Sequence, residues 1–419
     1  MVPYLFYYAM ICASLTRYFS APKVVALGAS VTPGGMQLSR RQMGFLATCG
    51  SAPHTGFGGR HTEMNPFTPR GTVRRRALDP AGRGNKHGRV VSMVVSTFST
   101  ATPTLKELAR PAGAARLNFI DFNPSVPASG PGVLAPVVVM HGLLGNARNF
   151  HGWGSKLAQS LEGQRRVFAV DMRNHGSSSH HDSMTYEDMT NDVLGFLADQ
   201  GLSETVLIGH SMGGKAAAMT ALLHPEIVRG LMVLDIAPVS YAILRPEGTQ
   251  WLPEEDVRVD STNWGETQKI IDAIRRMPLE GVESRRDADE LLARDIVDPA
   301  LRAFAVTNLD KTPSGGWEWR VNIDAIYRSM AILAQFGTGN DSDKPEGAED
   351  GMEPFRGDAL FVAGGNSRYV RSHHLGQIRK LFPNFVLSTI KGSGHWVHAD
   401  NPTETLRLAK SFLDRPELG

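Results

Sequence analysis

The chain has 419 residues, 42% of them hydrophobic and 21% charged, and a formal net charge of +2. That balance fits a globular protein with a sizeable core, and it argues against a nucleic-acid or acidic-membrane partner, which a strong basic excess would serve. The near-neutral total hides an asymmetry, because residues 1–98 hold twelve Lys or Arg against two acids, Glu63 and Asp79, for a net +10, and the remainder sums to −8.

The basic stretch comes first in chain order. It is rich in Arg, Ser, Thr, Gly and Pro, poor in acids, and without a sustained apolar period, so residues 1–98 are expected to be an unfolded organellar targeting extension. The uncharged run 2–15 has the length of a signal h-region ahead of a basic transit region, as in a two-step plastid route. This run is shorter than the roughly 20 residues that cross a bilayer, and no stable membrane span is expected. Cys12 and Cys49 both fall in the extension, so residues 99–419 offer no thiol for a disulfide, a metal site or a covalent nucleophile.

From residue 116 short apolar runs alternate with longer amphipathic ones, the pattern of a parallel sheet wrapped by helices. Strands are predicted over 117–122, 137–140, 167–170, 206–208, 231–234, 360–363 and 386–390. Helices are predicted over 153–161, 186–200, 212–223, 372–381 and 403–413. The alternation breaks once, between Leu234 and Leu360, where 125 residues read mostly as polar helices at 266–276, 287–294 and 320–336. The expectation is one α/β domain over 99–419 with a helical cap inserted at about 240–355, carrying a flexible acidic surface loop at 337–354.

The chemistry centres on Gly209-His210-Ser211-Met212-Gly213, a G-x-S-x-G pentapeptide between a β-branched run and an alanine-rich helical run. A serine on such a strand-to-helix turn is a candidate nucleophile, and the amide of Met212, at the helix N-terminus, can donate to an oxyanion. The competing reading is a glycine-rich turn in which the serine caps the helix. A second donor should come from His141-Gly142-Leu143-Leu144-Gly145 after the 137–140 strand, with Leu143 first and Leu144 next. His395, in the glycine-flanked loop after the last strand, is the candidate base, ahead of His398 and of His373 and His374, which begin a helix. An orienting acid is often found after the strand that resumes the sheet, but here that position reads Gly364-Gly365-Asn366-Ser367. Asp235, at the end of the preceding strand, preserves the order Ser, Asp, His, with Asp324 as the competitor. Asp171 reads as a structural acid capping the Asn174-His175-Gly176 turn.

The blocks HGLLGNARNF (141–150), VDMRNHGSSSH (170–180), GHSMGGKAA (209–217), LDIAPV (234–239), WRVNIDAI (319–326), GGNSRYV (364–370) and GSGHWVHADNP (392–402) together resemble the abhydrolase domain-containing protein 11 group and its bacterial esterase relatives. The resemblance spans about 116–415 and does not reach the first hundred residues or the 337–354 loop. It implies an α/β-hydrolase fold, a mostly parallel sheet flanked by helices with an inserted helical cap, and a serine esterase or lipase-like activity, in eukaryotes typically mitochondrial, so the resemblance favours the mitochondrion as destination with the plastid as the alternative. That group also lacks a carboxylate at the GGNS position, in agreement with Asp235; a match at Asp324 leaves the alternative standing. The expected reaction is hydrolysis of a small-molecule carboxylic ester or thioester through an acyl-enzyme, with no metal or organic cofactor. A non-catalytic or single-turnover small-ligand receptor is the reading from another class, and serine C–C hydrolase or hydroxynitrile lyase chemistry stays open on the same scaffold.

Overall fold

Seven apolar runs pair into one sheet in the computed structural model of the chain, which describes residues 108–127, 132–241, 243–244, 251–252, 261–337 and 352–418. The expected targeting extension 1–98, and positions 338–351 of the acidic loop, lie outside the described residues. The strands are β1 (Phe119–Asp121), β2 (Val137–Met140), β3 (Val167–Val170), β4 (Thr205–His210), β5 (Val228–Leu234), β6 (Asp358–Gly364) and β7 (Phe385–Ile390). Their order across the sheet is β1-β3-β2-β4-β5-β6-β7, with β1 antiparallel to β3 and every other pairing parallel.

Burial on both faces explains why β2 and β3 read as unbroken apolar runs. Val138, Met140, Phe168, Leu207, Leu231 and Val233 enter one core cluster, whereas Val137, Val139, Val167, Ile208, Met232 and Leu234 enter the other, on the opposite face. This alternation is the period of two expected of strands. Around the sheet run α1 (His151–Ser160), α2 (Tyr186–Asp199), α3 (Met212–Leu223), α4 (Ser261–Arg276), α5 (Arg285–Leu292), α6 (Pro299–Val306), α7 (Ile323–Ala334), α8 (Leu375–Leu381), α9 (Val397–Asp400) and α10 (Pro402–Leu413). Helices α2 and α3 pack on the first face through Val193, Phe196, Ala217 and Met219, and α1 and α10 on the second through Leu157 and Phe412. Capping sets the starts: Thr185 and Asp188 exchange side-chain and backbone hydrogen bonds at α2, and Asn401 caps α10 ahead of Pro402. No described helix is long and apolar enough to cross a membrane.

Helices α4 to α7 all belong to the stretch between β5 and β6. The predicted helix at 320–336 is trimmed to α7, because Asn322 turns its side chain onto the amide of Ala325 and starts the helix there. Three features of this stretch go beyond the sequence-based expectation. One is α6, which starts at Pro299 behind the Asp298 cap; the others are two antiparallel hairpins, Ile243–Leu244 with Trp251–Leu252 and Leu309–Lys311 with Trp317–Trp319.

Candidate active site

Ser211 is the single residue between β4 and α3, and its backbone lies at φ 52, ψ −120. A non-glycine residue in that region costs on the order of 1–3 kcal/mol, and the surroundings must hold it there. The amide of Ser211 donates to Leu234 O at 3.0 Å, and the flanking glycines have no room for a side chain. A Cβ on Gly209 would lie 2.2 Å from Gly213 O, and one on Gly213 would lie 2.5 Å from His141 O. The serine side chain makes no capping hydrogen bond to α3. Its Oγ instead lies 3.0 Å from Nε2 of His395.

His395 arrives on the loop after β7, and its Nδ1 lies 2.7 Å from Oδ2 of Asp235. A buried carboxylate accepts only, so Nδ1 carries the proton and Nε2 is left as the acceptor that faces the serine hydroxyl. The Tyr369 ring stacks on the imidazole at 4.1 Å, and His210 Nε2–H donates to the His395 carbonyl at 2.9 Å, so ring and backbone are both held.

Asp235 is fully buried, in the left-handed region at φ 50, with its amide on Val362 O at 2.8 Å. The loop after β6, where the sequence shows no acid, satisfies this carboxylate. Gly364 N donates to Oδ1 at 2.8 Å, and the Ser367 hydroxyl donates to Oδ2. Asp324 sits elsewhere, in the first turn of α7, with an exposed side chain paired to Arg275 at 2.8 Å. Asp171 takes the amides of Ala147 and Ser177 at 2.7 and 2.9 Å and so braces the turn at 174–176. His373 and His374 form a short 3-10 turn before α8, and His398 stacks on Phe150 at 4.3 Å.

In the 141–145 loop the two candidate amides differ. The Leu144 amide is taken by Nε2 of His175 at 3.1 Å. Leu143 and Leu144 both line the same cavity as Ser211 and Met212, so the contrast lies in the amides alone. His141 and His175 are both buried neutral: burial lowers each, His175 to about 3. Burial also pushes His210 well down and His398 to about 3, in each case reinforced by the neighbouring His395.

The cavity holds about 650 Å³, with Ser211 and His395 in its wall. Trp264 and Ile270 of α4, Leu301 and Phe304 of α6 and Leu333 of α7 form the apolar part of the side contributed by the inserted stretch, next to Glu266, Thr267 and Asp298. Tyr186, Lys215 and Tyr241 also line it, but their polar atoms point into the protein. Tyr186 Oη donates to Leu333 O, Tyr241 Oη to Tyr369 O, and Lys215 Nζ to the carbonyls of Leu333, Ala334 and Gln335. The cavity therefore receives rings and methylenes from them, an apolar surface. Among the described residues no cluster of His, Cys, Asp or Glu has the arrangement of a metal site. Sequence reasoning missed Ser367, Tyr369, His175 and Lys215 as parts of the site; the GGNSRYV block was the signal for the first two.

Residues 135–270 match the family of the alpha/beta hydrolase fold. The sn-1-specific diacylglycerol lipase ABHD11 of Mus musculus is 34% identical over 284 residues, 68% of this chain and 82% of that protein. The chain belongs to the α/β-hydrolase-fold family. Esterase YbfF of Escherichia coli (strain K12) is 30% identical to this hydrolase over 281 residues, 67% of the chain and 93% of the relative. A marine microorganism esterase of known structure superposes on the hydrolase with a TM-score of 0.58 at 30% identity, covering 72% of this chain and 100% of that one.

Proposed function

We propose that this hydrolase is a serine esterase that cleaves a carboxylic ester of a small amphipathic molecule through an acyl-enzyme, with Ser211 as nucleophile, His395 as base and Asp235 as orienting acid. The observation that carries the reading is the continuous hydrogen-bonded chain Ser211 Oγ, His395 Nε2, His395 Nδ1, Asp235 Oδ2, at 3.0 and 2.7 Å. Ser211 Oγ attacks the ester carbonyl carbon while its proton passes to His395 Nε2. The amides of Leu143 and Met212 receive the oxyanion of the tetrahedral intermediate, and the N-terminus of α3 favours that charge. Collapse expels the alcohol, which takes the proton from His395, and water repeats the sequence on the acyl-serine. Asp235 holds the tautomer in which Nε2 can accept, and it balances the imidazolium. The stretch between β5 and β6 acts as the cap, its apolar residues covering the acyl group.

The test is direct. Purified hydrolase should cleave short-chain p-nitrophenyl esters and take one fluorophosphonate per chain at Ser211, and Ser211→Ala should abolish both. Turnover that survives in Ser211→Ala overturns the assignment. A matched series of oxygen and sulfur esters then decides whether thioesters are also substrates. For the basic stretch 1–98 the reading is an organellar address, in favour of the mitochondrion, supported by its net +10 charge and near-absence of acids. Fused to a fluorescent protein, it should direct the fusion to that organelle; a diffuse signal would sink the idea.

A further inference from the structure

Three successive peptide planes of the 141–145 loop are each tied by a specific partner. The plane between Gly142 and Leu143 carries the Leu143 N–H, and its oxygen accepts from His141 Nδ1 at 2.7 Å and from the Gly145 amide at 2.9 Å. The next plane is held through the Leu144 amide on His175 Nε2 at 3.1 Å. The third, between Leu144 and Gly145, is held through Leu144 O, which accepts from Nδ2 of Asn308 at 2.8 Å. That plane supplies the Gly145 N–H bonded to Gly142 O, so a tie on Leu144 O is relayed through one hydrogen bond to the plane that aims the Leu143 amide.

Leu144 needs this hold, because it is a buried non-glycine residue at φ 59. Such a backbone persists only where its surroundings over-determine it. Asn308 comes from the inserted stretch itself, two residues past the end of α6 at Val306. Its own amide donates to Ala305 O at 3.0 Å and its carbonyl accepts from Arg320 N at 2.7 Å, so the residue is anchored at the root of the hairpin. The orientation of its side-chain amide is decided by two carbonyls, Leu144 O and Ala305 O, the second at 3.4 Å, since both require a donor. The stretch also docks beside His175: Asn322 N donates to Asn174 O at 2.9 Å. One tie on Leu144 therefore comes from the inserted stretch, and the other comes from a turn on which that stretch rests.

We infer that Asn308 is a positioning residue for the oxyanion hole, through which the stretch between β5 and β6 sets the aim of the Leu143 amide in addition to walling the cavity. The inference rests on the acyl-transfer reading of Ser211. It predicts a defect in stabilising the tetrahedral oxyanion and none in holding the ground-state ester.

The test compares wild-type hydrolase with Asn308→Leu, which keeps the volume and also removes a buried Oδ1 that has no partner among the described residues. Asn308→Ser carries the same test if the leucine variant fails to fold. Both are assayed for kcat and KM on a short-chain p-nitrophenyl ester, for affinity toward a trifluoromethyl ketone that forms a tetrahedral adduct with a serine, and for Tm. The expected result is a fall in kcat of about 10- to 100-fold, part of what loss of a whole oxyanion donor costs. KM should stay within about twofold, and affinity for the ketone should fall in step with kcat/KM. A folded variant with wild-type ketone affinity, or one in which only KM rises, overturns the inference. Failure of the wild-type protein to turn over would instead overturn the acyl-transfer reading itself.

Discussion

The Ser367 hydroxyl donates to Oδ2 of Asp235, the oxygen that faces His395 Nδ1, so the loop after β6 serves a carboxylate that stands at the end of β5. Neighbouring parallel strands lie only about 4.8 Å apart, which lets a side chain from either C-terminal end reach the same histidine. With the buried carboxylate one strand away from it, the loop is left to donate hydrogen bonds. Gly364 N and Ser367 Oγ fulfil it, and the φ 50 backbone of Asp235 turns the carboxylate toward them.

Asp235→Asn should lower kcat by roughly 10⁴-fold, because an amide facing Nδ1 favours the tautomer in which Nε2 carries the proton and cannot accept one from Ser211. Asparagine tolerates the left-handed backbone, so the variant should keep its Tm within a few degrees. Asp324→Asn removes only an exposed ion pair with Arg275 and should leave turnover within about twofold. Steady-state kinetics on the two variants check this, and a larger loss in Asp324→Asn would reverse the assignment of the acid.

The fold class was legible because strands buried on both faces, such as 137–140 and 167–170, leave unbroken apolar runs that no helix at the surface would show. Helix α3 was legible to the residue, since an alanine-rich run follows the elbow directly. The hairpin at 309–319 was not: its strands are three residues each, and in the first only Leu309 is buried, too short for a period to register. At the site, Ser211 and His395 stand out because the chemistry demands those residue types in those turns. Asn308 does not, because its contact with Leu144 spans 164 residues and exists only once the inserted stretch has docked. Ser367 was hidden differently: its position was read for a missing acid, when what it offers is a donor.

Lys215→Met should destabilise the hydrolase and loosen the end of α7. Lys215 Nζ donates to the carbonyls of Leu333, Ala334 and Gln335 at 3.4, 3.0 and 2.8 Å and lies 4.8 Å from the centre of the Tyr241 ring. Methionine fills a similar volume but leaves Gln335 O without its donor, at about 1–3 kcal/mol for a buried unmet group, while Leu333 O keeps Tyr186 Oη and Ala334 O keeps the Tyr241 amide. Burial pushes the Lys215 amine well below its ordinary pKa, and removing this desolvated group offsets part of that cost. The net expectation is a drop in Tm of roughly 2–6 °C. Amide exchange should quicken where the α7 end is sewn to the core, at Tyr241, whose amide donates to Ala334 O. An unchanged Tm with unchanged protection there would mean that the clamp carries no net stability.

Leu301→Trp should narrow the apolar side of the cavity, where Leu301 of α6 stands in the wall with Ile270 and Phe304. Each methylene that an apolar pocket can no longer accept costs about 1–3 kcal/mol in discrimination. The ratio of kcat/KM for octanoate over acetate p-nitrophenyl esters should therefore fall by about tenfold or more. If the ratio holds, the acyl chain runs along another wall and the cap reading of α6 has to be redrawn.

Acid should unfold the hydrolase through its buried histidines. In the folded chain His175 and His398 are held down to about 3 by burial, and His141 and His210 are lowered for the same reason, whereas an unfolded histidine titrates near its ordinary 6.5. Below 6.5 the unfolded state therefore binds protons that the folded state refuses. The stability these groups contribute is fully present above that pH and is lost progressively as pH falls from 6.5 toward 3. His175 and His398 should each remove on the order of 1 kcal/mol by pH 5.5. His398 is the one to test, because its ring stacks on Phe150 at 4.3 Å and its Nδ1 has no partner among the described residues. In His398→Leu the dependence of unfolding free energy on pH between 6 and 5 should lose about one proton, a slope smaller by roughly 1.4 kcal/mol per pH unit. Denaturant titrations at a series of pH values measure that slope. If it matches wild type, His398 already exchanges its proton in the folded protein, and the acid sensitivity must be sought in the three histidines that pack around the loops carrying Ser211 and Leu143.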